Sequence, residues 1–304
     1  MDIAVIGSNM VDLITYTNTM PKAGETLEAP DFALGCGGKG ANQAVAAAKL
    51  GAKVMMVSKV GEDIFAENTV KNLQQYGVDA RHVTVAPGTS SGVAPIFVDD
   101  QSQNRILIIK GANAKLSAAD IDAAAEQLKA CSLIVLQLEI PLPTVYYAID
   151  FARQHGIKVI LNPAPAVAGL DIDYACQCEF FMPNETELEI LTGLPTSTDE
   201  EVLRAGQMLL GRGLKNLIIT LGNRGSVWMQ GDTVHRIDPT VVQAVDTSGA
   251  GDAFIGCFAH YWVQHGDIAK AMQSASAYAA CSVTQRGTQR SYPDAETFQR
   301  FLTA

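Results

Sequence analysis

The chain has 304 residues, 48% hydrophobic and 18% charged, proportions that exclude disordered and fibrous proteins. A formal net charge of −10 with no run of Lys or Arg argues against a nucleic-acid partner, since phosphate would be repelled. No stretch of about 18 uncharged apolar residues reads as a membrane span, and the apolar run after Met1-Asp2 is too short, and lacks the basic flank, for a signal peptide. A soluble cytoplasmic protein without membrane contacts is expected.

Residues 3–6 are a short apolar run ending in Gly7-Ser8, the pattern of a buried strand entering a turn. Residues 42–50 are Ala-rich without a breaker and stop at Gly51, which predicts a helix. A strand over 53–60 follows. Further apolar runs at 133–138, 159–162, 180–183 and 217–221 are separated by helical stretches such as 200–210. Strands alternating with helices predict a mainly parallel, doubly wound α/β sheet covered on both faces, in one domain spanning 1–304. Two segments, about 12–34 and 92–109, break the rhythm. They carry β-formers, Ile14-Thr15-Tyr16-Thr17 and Ile106-Leu107-Ile108-Ile109, without helix, and predict a small antiparallel sheet standing off the body as a lid. The six cysteines are scattered. Cys176-Gln177-Cys178 has neither zinc spacing nor a nearby histidine, and the five histidines do not cluster, so free thiols are expected and a metal hydrolase loses its ligands.

The most informative stretch is Asp246-Thr247-Ser248-Gly249-Ala250-Gly251-Asp252, small residues opening a helical segment. At such a start the backbone N–H groups are unpaired and an anion can approach closely, so Gly249, Ala250 and Gly251 form a candidate phosphate cradle. Asp252 at its rim could take a proton from an attacking hydroxyl; the alternative is a carboxylate that merely caps the helix. A second glycine-rich loop, Gly35-Cys36-Gly37-Gly38-Lys39-Gly40-Ala41-Asn42, also enters a helix and supplies Lys39 and Asn42 to a polar ligand. Gly35, Gly37 and Gly40 match the dinucleotide fingerprint, but the loop follows the predicted lid, and Val57-Ser58-Lys59-Val60 stands where an acidic ribose ligand belongs. The Walker pattern fails because Gly40, not Ser or Thr, follows Lys39.

With both loops, Gly37 to Asn42 and Asp246 to Asp252, the chain closely resembles the ribokinase family of carbohydrate kinases, in particular its pentose kinases, from Gly7 to Ser291. The resemblance implies transfer of the ATP γ-phosphoryl group to the 5-hydroxymethyl group of a pentose, and a β-lid that makes homodimers. It implies Asp252 as base, Gly249, Ala250 and Gly251 as anion hole, and Asp12, Gly38, Lys39, Asn42 and Glu139 as sugar contacts. The bland reading of Glu139 is a solvated loop carboxylate, but it stands at the end of the 133–138 strand, and ligands collect at strand carboxyl ends. Asn184 and Glu187 match an element that positions Mg²⁺ and phosphates through water; read alone they cap a helix. Thr220, Gly222 and Gly225 match the nucleotide loop, and Ser276 a position beside adenine. Asp246, Ser248, Ser282, Gln285, Gly287 and Ser291 match a K⁺ site made largely of carbonyls.

Ribose-using members read Gly-Ser-x-Asn-x-Asp after the first strand, whereas this chain reads Gly7-Ser8-Asn9-Met10-Val11-Asp12. Met10 stands where an asparagine would bond the 2-hydroxyl, and a thioether cannot donate that bond. The expected acceptor is 2-deoxy-D-ribose, with D-ribose the alternative should Met10 be core and Asn9 or a water serve the hydroxyl. A sugar-binding protein without activity would most simply have lost the base or the anion hole, and both are intact.

Overall fold

The computed structural model describes residues 1–99 and 104–303. Its strands are β1 (Ile3–Ile6), β2 (Met10–Tyr16), β3 (Asp31–Gly37), β4 (Val54–Gly61), β5 (Asp79–Ala86), β6 (Val93–Val98), β7 (Asn104–Ile106), β8 (Leu133–Leu136), β9 (Lys158–Leu161), β10 (Phe180–Phe181), β11 (Leu217–Thr220), β12 (Ser226–Gln230) and β13 (Thr233–Ile237). Nine form one sheet in the order β13-β12-β11-β10-β9-β8-β1-β4-β5. From β11 to β5 every pairing is parallel. The strand–helix alternation of the sequence thus gives the expected sheet.

Why the central strands are continuously apolar is plain from their faces. Along β1, Ala4 and Ile6 enter one apolar cluster while Ile3 and Val5 enter another on the opposite face. The first cluster is completed by the helices Leu142–Gln154 and Asp199–Leu210, the second by Lys39–Lys49, Ala250–His265 and Ile268–Ser282. A strand buried on both sides leaves no position for alternation. Strands β12 and β13 extend the sheet as an antiparallel hairpin turned at Gly231-Asp232, which the sequence reading passed over together with β5.

The small sheet has the order β3-β2-β6-β7. It is not purely antiparallel: β2 pairs antiparallel with β3 but parallel with β6. Its last strand ends at Ile106, and the chain then stays beside β6 through an isolated bridge between Ile109 and Val93. Residues 100–103 of the second lid segment lie outside the described residues. Among the described residues no helix is long and apolar enough to cross a membrane, and all six cysteines are free.

Candidate active site

Two glycine-led helix starts converge beside the carboxyl ends of the central strands. The helix Lys39–Lys49 begins after Gly38, whose φ of 88° and close approach, a Cβ there lying 2.7 Å from the Met10 nitrogen, leave room only for glycine. The helix Ala250–His265 begins after Gly249, at φ 74°, whose carbonyl accepts from the Tyr292 hydroxyl at 2.9 Å. The two helices cross so closely that a Cβ on Gly256 would stand 2.5 Å from the Gln43 carbonyl oxygen and 2.6 Å from Ala46 Cβ. One turn before this crossing is Asp252, which therefore faces Asn42 and Gln43 across the seam.

Asp252 is buried, and both of its oxygens are engaged: Asn42 Nδ2 donates to Oδ2 and Gln43 Nε2 to Oδ1, each at 2.9 Å. It lines a cavity with Lys39, Asn184, Glu187, Thr220, Gly249, Ala250 and Gly251, so the predicted base, cradle and phosphate-side residues share one space. The Ala250 N–H already donates to the Thr247 carbonyl at 3.2 Å. Burial opposes the charge on Lys39 and is the largest single influence on it, yet Asp252, Glu139 and Glu187 together prevail and hold its ammonium above the ordinary lysine value.

Glu139 is not the solvated loop carboxylate of the bland reading. It is 4% exposed and accepts at Oε2 from the Ser8 hydroxyl and from the Lys39 backbone N–H at 2.9 Å. Asp12 is buried as well. Burial first, then the charges of Glu139 and Asp252, push its carboxyl up to about 7. Met10 is 2% exposed but belongs to neither apolar cluster, and Asn113 Nδ2 lies 3.6 Å from its sulfur. Neighbouring Asn9 turns away: Nδ2 donates to Ser58 Oγ and to the Lys59 carbonyl, both at 2.8 Å.

Asn184 and Glu187 do form the helix cap of the bland reading, each side chain accepting from the other's backbone N–H at 2.8 Å. They line the cavity at the same time, so cap and site coincide. Thr220 is at the cavity edge, and Gly222–Arg224 and Gly225 form a tight turn behind it, tied by Arg224 to Glu185 and Asp199. Ser276 is apart, in a second depression with Gln273, Thr240 and Arg236 to Asp238. Asp246 accepts the Ser248 and Gly287 N–H groups, both at 2.9 Å, which joins two of the segments of the implied cation site. The hydroxyls of Ser282 and Ser291 donate to carbonyls in their own turns. Among the described residues, no group of three or more His, Cys, Asp or Glu is placed to hold a metal. Ser8, Gln43, Asn113, Asn162 and Tyr292 were missed by the sequence reading, although Ser8, Gln43 and Asn162 stood inside stretches already singled out.

The pattern of the pfkB family carbohydrate kinases matches residues 1–295. A deoxyribokinase of Salmonella typhi is 63% identical over 303 residues, covering 100% of this chain and 99% of the relative. A ribokinase of Mus musculus is 40% identical over 295 residues, covering 96% and 91%. Among solved structures, the ribokinase of Arabidopsis thaliana complexed with ribose and ATP superposes with a TM-score of 0.90 at 30% identity, covering 100% and 99%.

Proposed function

This chain belongs to the pfkB family of carbohydrate kinases, and on that premise we propose that it transfers the γ-phosphoryl group of ATP to the 5-hydroxyl of 2-deoxy-D-ribose, giving the 5-phosphate and ADP. Asp252 takes the hydroxyl proton as that oxygen bonds to phosphorus and the bond to ADP breaks. The N–H groups of Gly249, Ala250 and Gly251 at the start of Ala250–His265 hold the charge on the transferred group. Asp12, Gly38, Lys39, Asn42 and Glu139 hold the sugar, and Thr220, Gly222, Gly225 and Ser276 the nucleotide. Asn184 and Glu187 would grip Mg²⁺ through water; bound, it neutralises phosphate charge. Asp246, Ser248, Ser282, Gln285, Gly287 and Ser291 would hold K⁺, a fit supported by the Asp246 carboxylate that already ties two of these segments. Activity and melting temperature are expected to be higher in K⁺ than in Na⁺ at matched ionic strength; equality of both readouts removes this site.

The observation that carries the sugar's identity is the pair Asn9 and Met10. Because the Lys59 carbonyl can only accept, Asn9 must present its NH₂ group to β4, and both hydrogens are committed there. That leaves Met10 opposite carbon 2, and the one amide beside its sulfur, Asn113 Nδ2, is already taken up by the Asn9 carbonyl at 2.6 Å and by the sulfur itself at 3.6 Å. A 2-hydroxyl buried there loses its partner, at about 1–3 kcal/mol, while a CH₂ meets an adaptable apolar side chain. The 63% identity to a deoxyribokinase supports the same reading. The test is kcat/KM for 2-deoxyribose and ribose in the wild type and in Met10→Asn. Deoxyribose is expected to be preferred, by no more than about 10²-fold, and the substitution to shift preference toward ribose. A wild type that favours ribose overturns the assignment.

Dimerisation through the lid belongs to the same proposal. Phe32 and Leu107 are 55% and 64% exposed, and Leu34, Ile106, Ile108 and Ile109 are exposed beside them in sequence, an apolar set that a second subunit would cover. A cytoplasmic location is supported by six unpaired cysteines, as a reducing compartment requires.

A further inference from the structure

Gln43 is 1% exposed and does not line the cavity that Asp252 lines. Its amide instead lies inside a chain of amides whose orientation can be followed back to the main chain. The Met182 carbonyl only accepts, so Asn162 must present Nδ2 to it, at 2.8 Å. Asn162 Oδ1 then faces Gln43 and takes an Nε2 hydrogen at 3.2 Å. From the other side, Gln137 Nε2 donates to Gln43 Oε1 at 2.6 Å. With its oxygen held by Gln137 and one hydrogen by Asn162, Gln43 has a single N–H left, and this is the one that reaches Asp252 Oδ1.

We propose that Gln43 is a positioning residue for phosphoryl transfer, its amide locked by Gln137 and Asn162 so that it fixes the plane of the Asp252 carboxylate. Asn42, held by Gln289 Nε2 at its own Oδ1, anchors the opposite oxygen. A carboxylate has about four lone-pair sites, and two amide donors at opposite oxygens remove its freedom to rotate while leaving acceptor capacity for the sugar hydroxyl. A base turned out of line is a misplaced reacting group, and displacements of about 1 Å are worth up to about 10²-fold in rate. The inference rests on Asp252 being the base.

Two variants test it, with Asp252→Asn beside them. Gln43→Met keeps the volume and removes the donor; kcat is expected to fall roughly 10- to 10²-fold, with KM for deoxyribose and ATP within about threefold. Gln43→Glu keeps the shape and sets a carboxylate against Asp252, where the pair can share a proton. Other charges acting on Asp252 or its neighbours are those of Lys39, Asp12, Glu139 and Glu187. The Gln43→Glu deficit is expected to be deepest at pH 9 and to shrink toward pH 6, as the shared proton restores a donor. A residue that only stabilises the fold would lower the melting temperature without this split or pH trend. Should Gln43→Met not fold, the Glu variant decides. Wild-type kcat in either folded variant, or a loss confined to KM, overturns the inference. If Asp252→Asn is inactive while both Gln43 variants turn over normally, the base stands and positioning alone fails; normal turnover in Asp252→Asn removes the base itself.

Discussion

On the proposed sugar side, Ser8, Asn42, Gln43, Glu139 and Asp252 are all less than a tenth exposed and are hydrogen-bonded to one another or to neighbouring backbone. On the proposed nucleotide side, Arg224 bridges Glu185 and Asp199, and Arg236 shares Asp199, through side chains 30% to 43% exposed. Removing a member of the buried network leaves an orphaned polar group, about 1–3 kcal/mol each. A half-exposed ion pair is worth about 0–1 kcal/mol, since water competes for both partners. The groups proposed to hold the acceptor and to act as base are therefore fixed in advance, while the proposed nucleotide side is a shelf that water can loosen.

The comparison is tested most severely at Asp252. Asp252→Asn keeps the shape but cannot take the proton, so kcat is expected to fall about 10²-fold or more while calorimetry shows sugar and ATP still binding. Wild-type turnover in this variant breaks the assignment of the buried side as the reacting side.

A smaller effect comes from Asp12. Its carboxyl is raised to about 7 in the ligand-free protein, so the folded state holds a proton that the unfolded chain, at an ordinary carboxylate value, has lost. Stability without sugar therefore falls as pH rises from about 4 to about 7 and is flat above. Sugar hydroxyls favour the ionised form, so deoxyribose should bind roughly tenfold more tightly at pH 8 than at pH 6, with proton release near pH 6 visible in buffers of different ionisation enthalpy. Asp12→Asn should flatten that dependence; a slope unchanged by it places the titration elsewhere.

The smallest effect is expected at Arg224. Arg224→Ala should lower the melting temperature by no more than about 2–4 °C and leave kcat near wild type, with any change in KM for ATP rather than for sugar. A loss as large as that of a Gln43 variant would erase the distinction between the two sides.

How much of this was legible in the sequence follows from the range of the interactions. The strands are marked by runs of neighbouring apolar residues, and both glycine-rich loops by composition, so the sheet and the position of Asp252 were within reach. The parallel pairing of β2 with β6 was not, because Val11 and Val93 meet across a long stretch of chain and local pattern carries no strand direction. For Glu139 the loop carboxylate stayed open as an alternative for the same reason: its partners are 131 and 100 residues away. Gln43 was overlooked because a glutamine in an Ala-rich helix looks like a solvated position until the second helix is laid against it. The hairpin of β12 and β13 was a plain omission, since Gly231-Asp232 between two runs of β-formers is a turn signal.

The crossing at Gly256 bears on how such an enzyme can drift in sequence. Asp252 is one turn along the same helix, about 5–6 Å from the contact, so the contact acts as a fulcrum with a very short arm. A methyl group at position 256 would push against the backbone at Gln43 and against Ala46, and the displacement would reach the carboxylate almost undiminished. Residue 256 touches no substrate in this reading, yet its size sets the alignment of the reaction. Such a position is expected to resist substitution as firmly as the base itself, and to lose turnover before it loses fold.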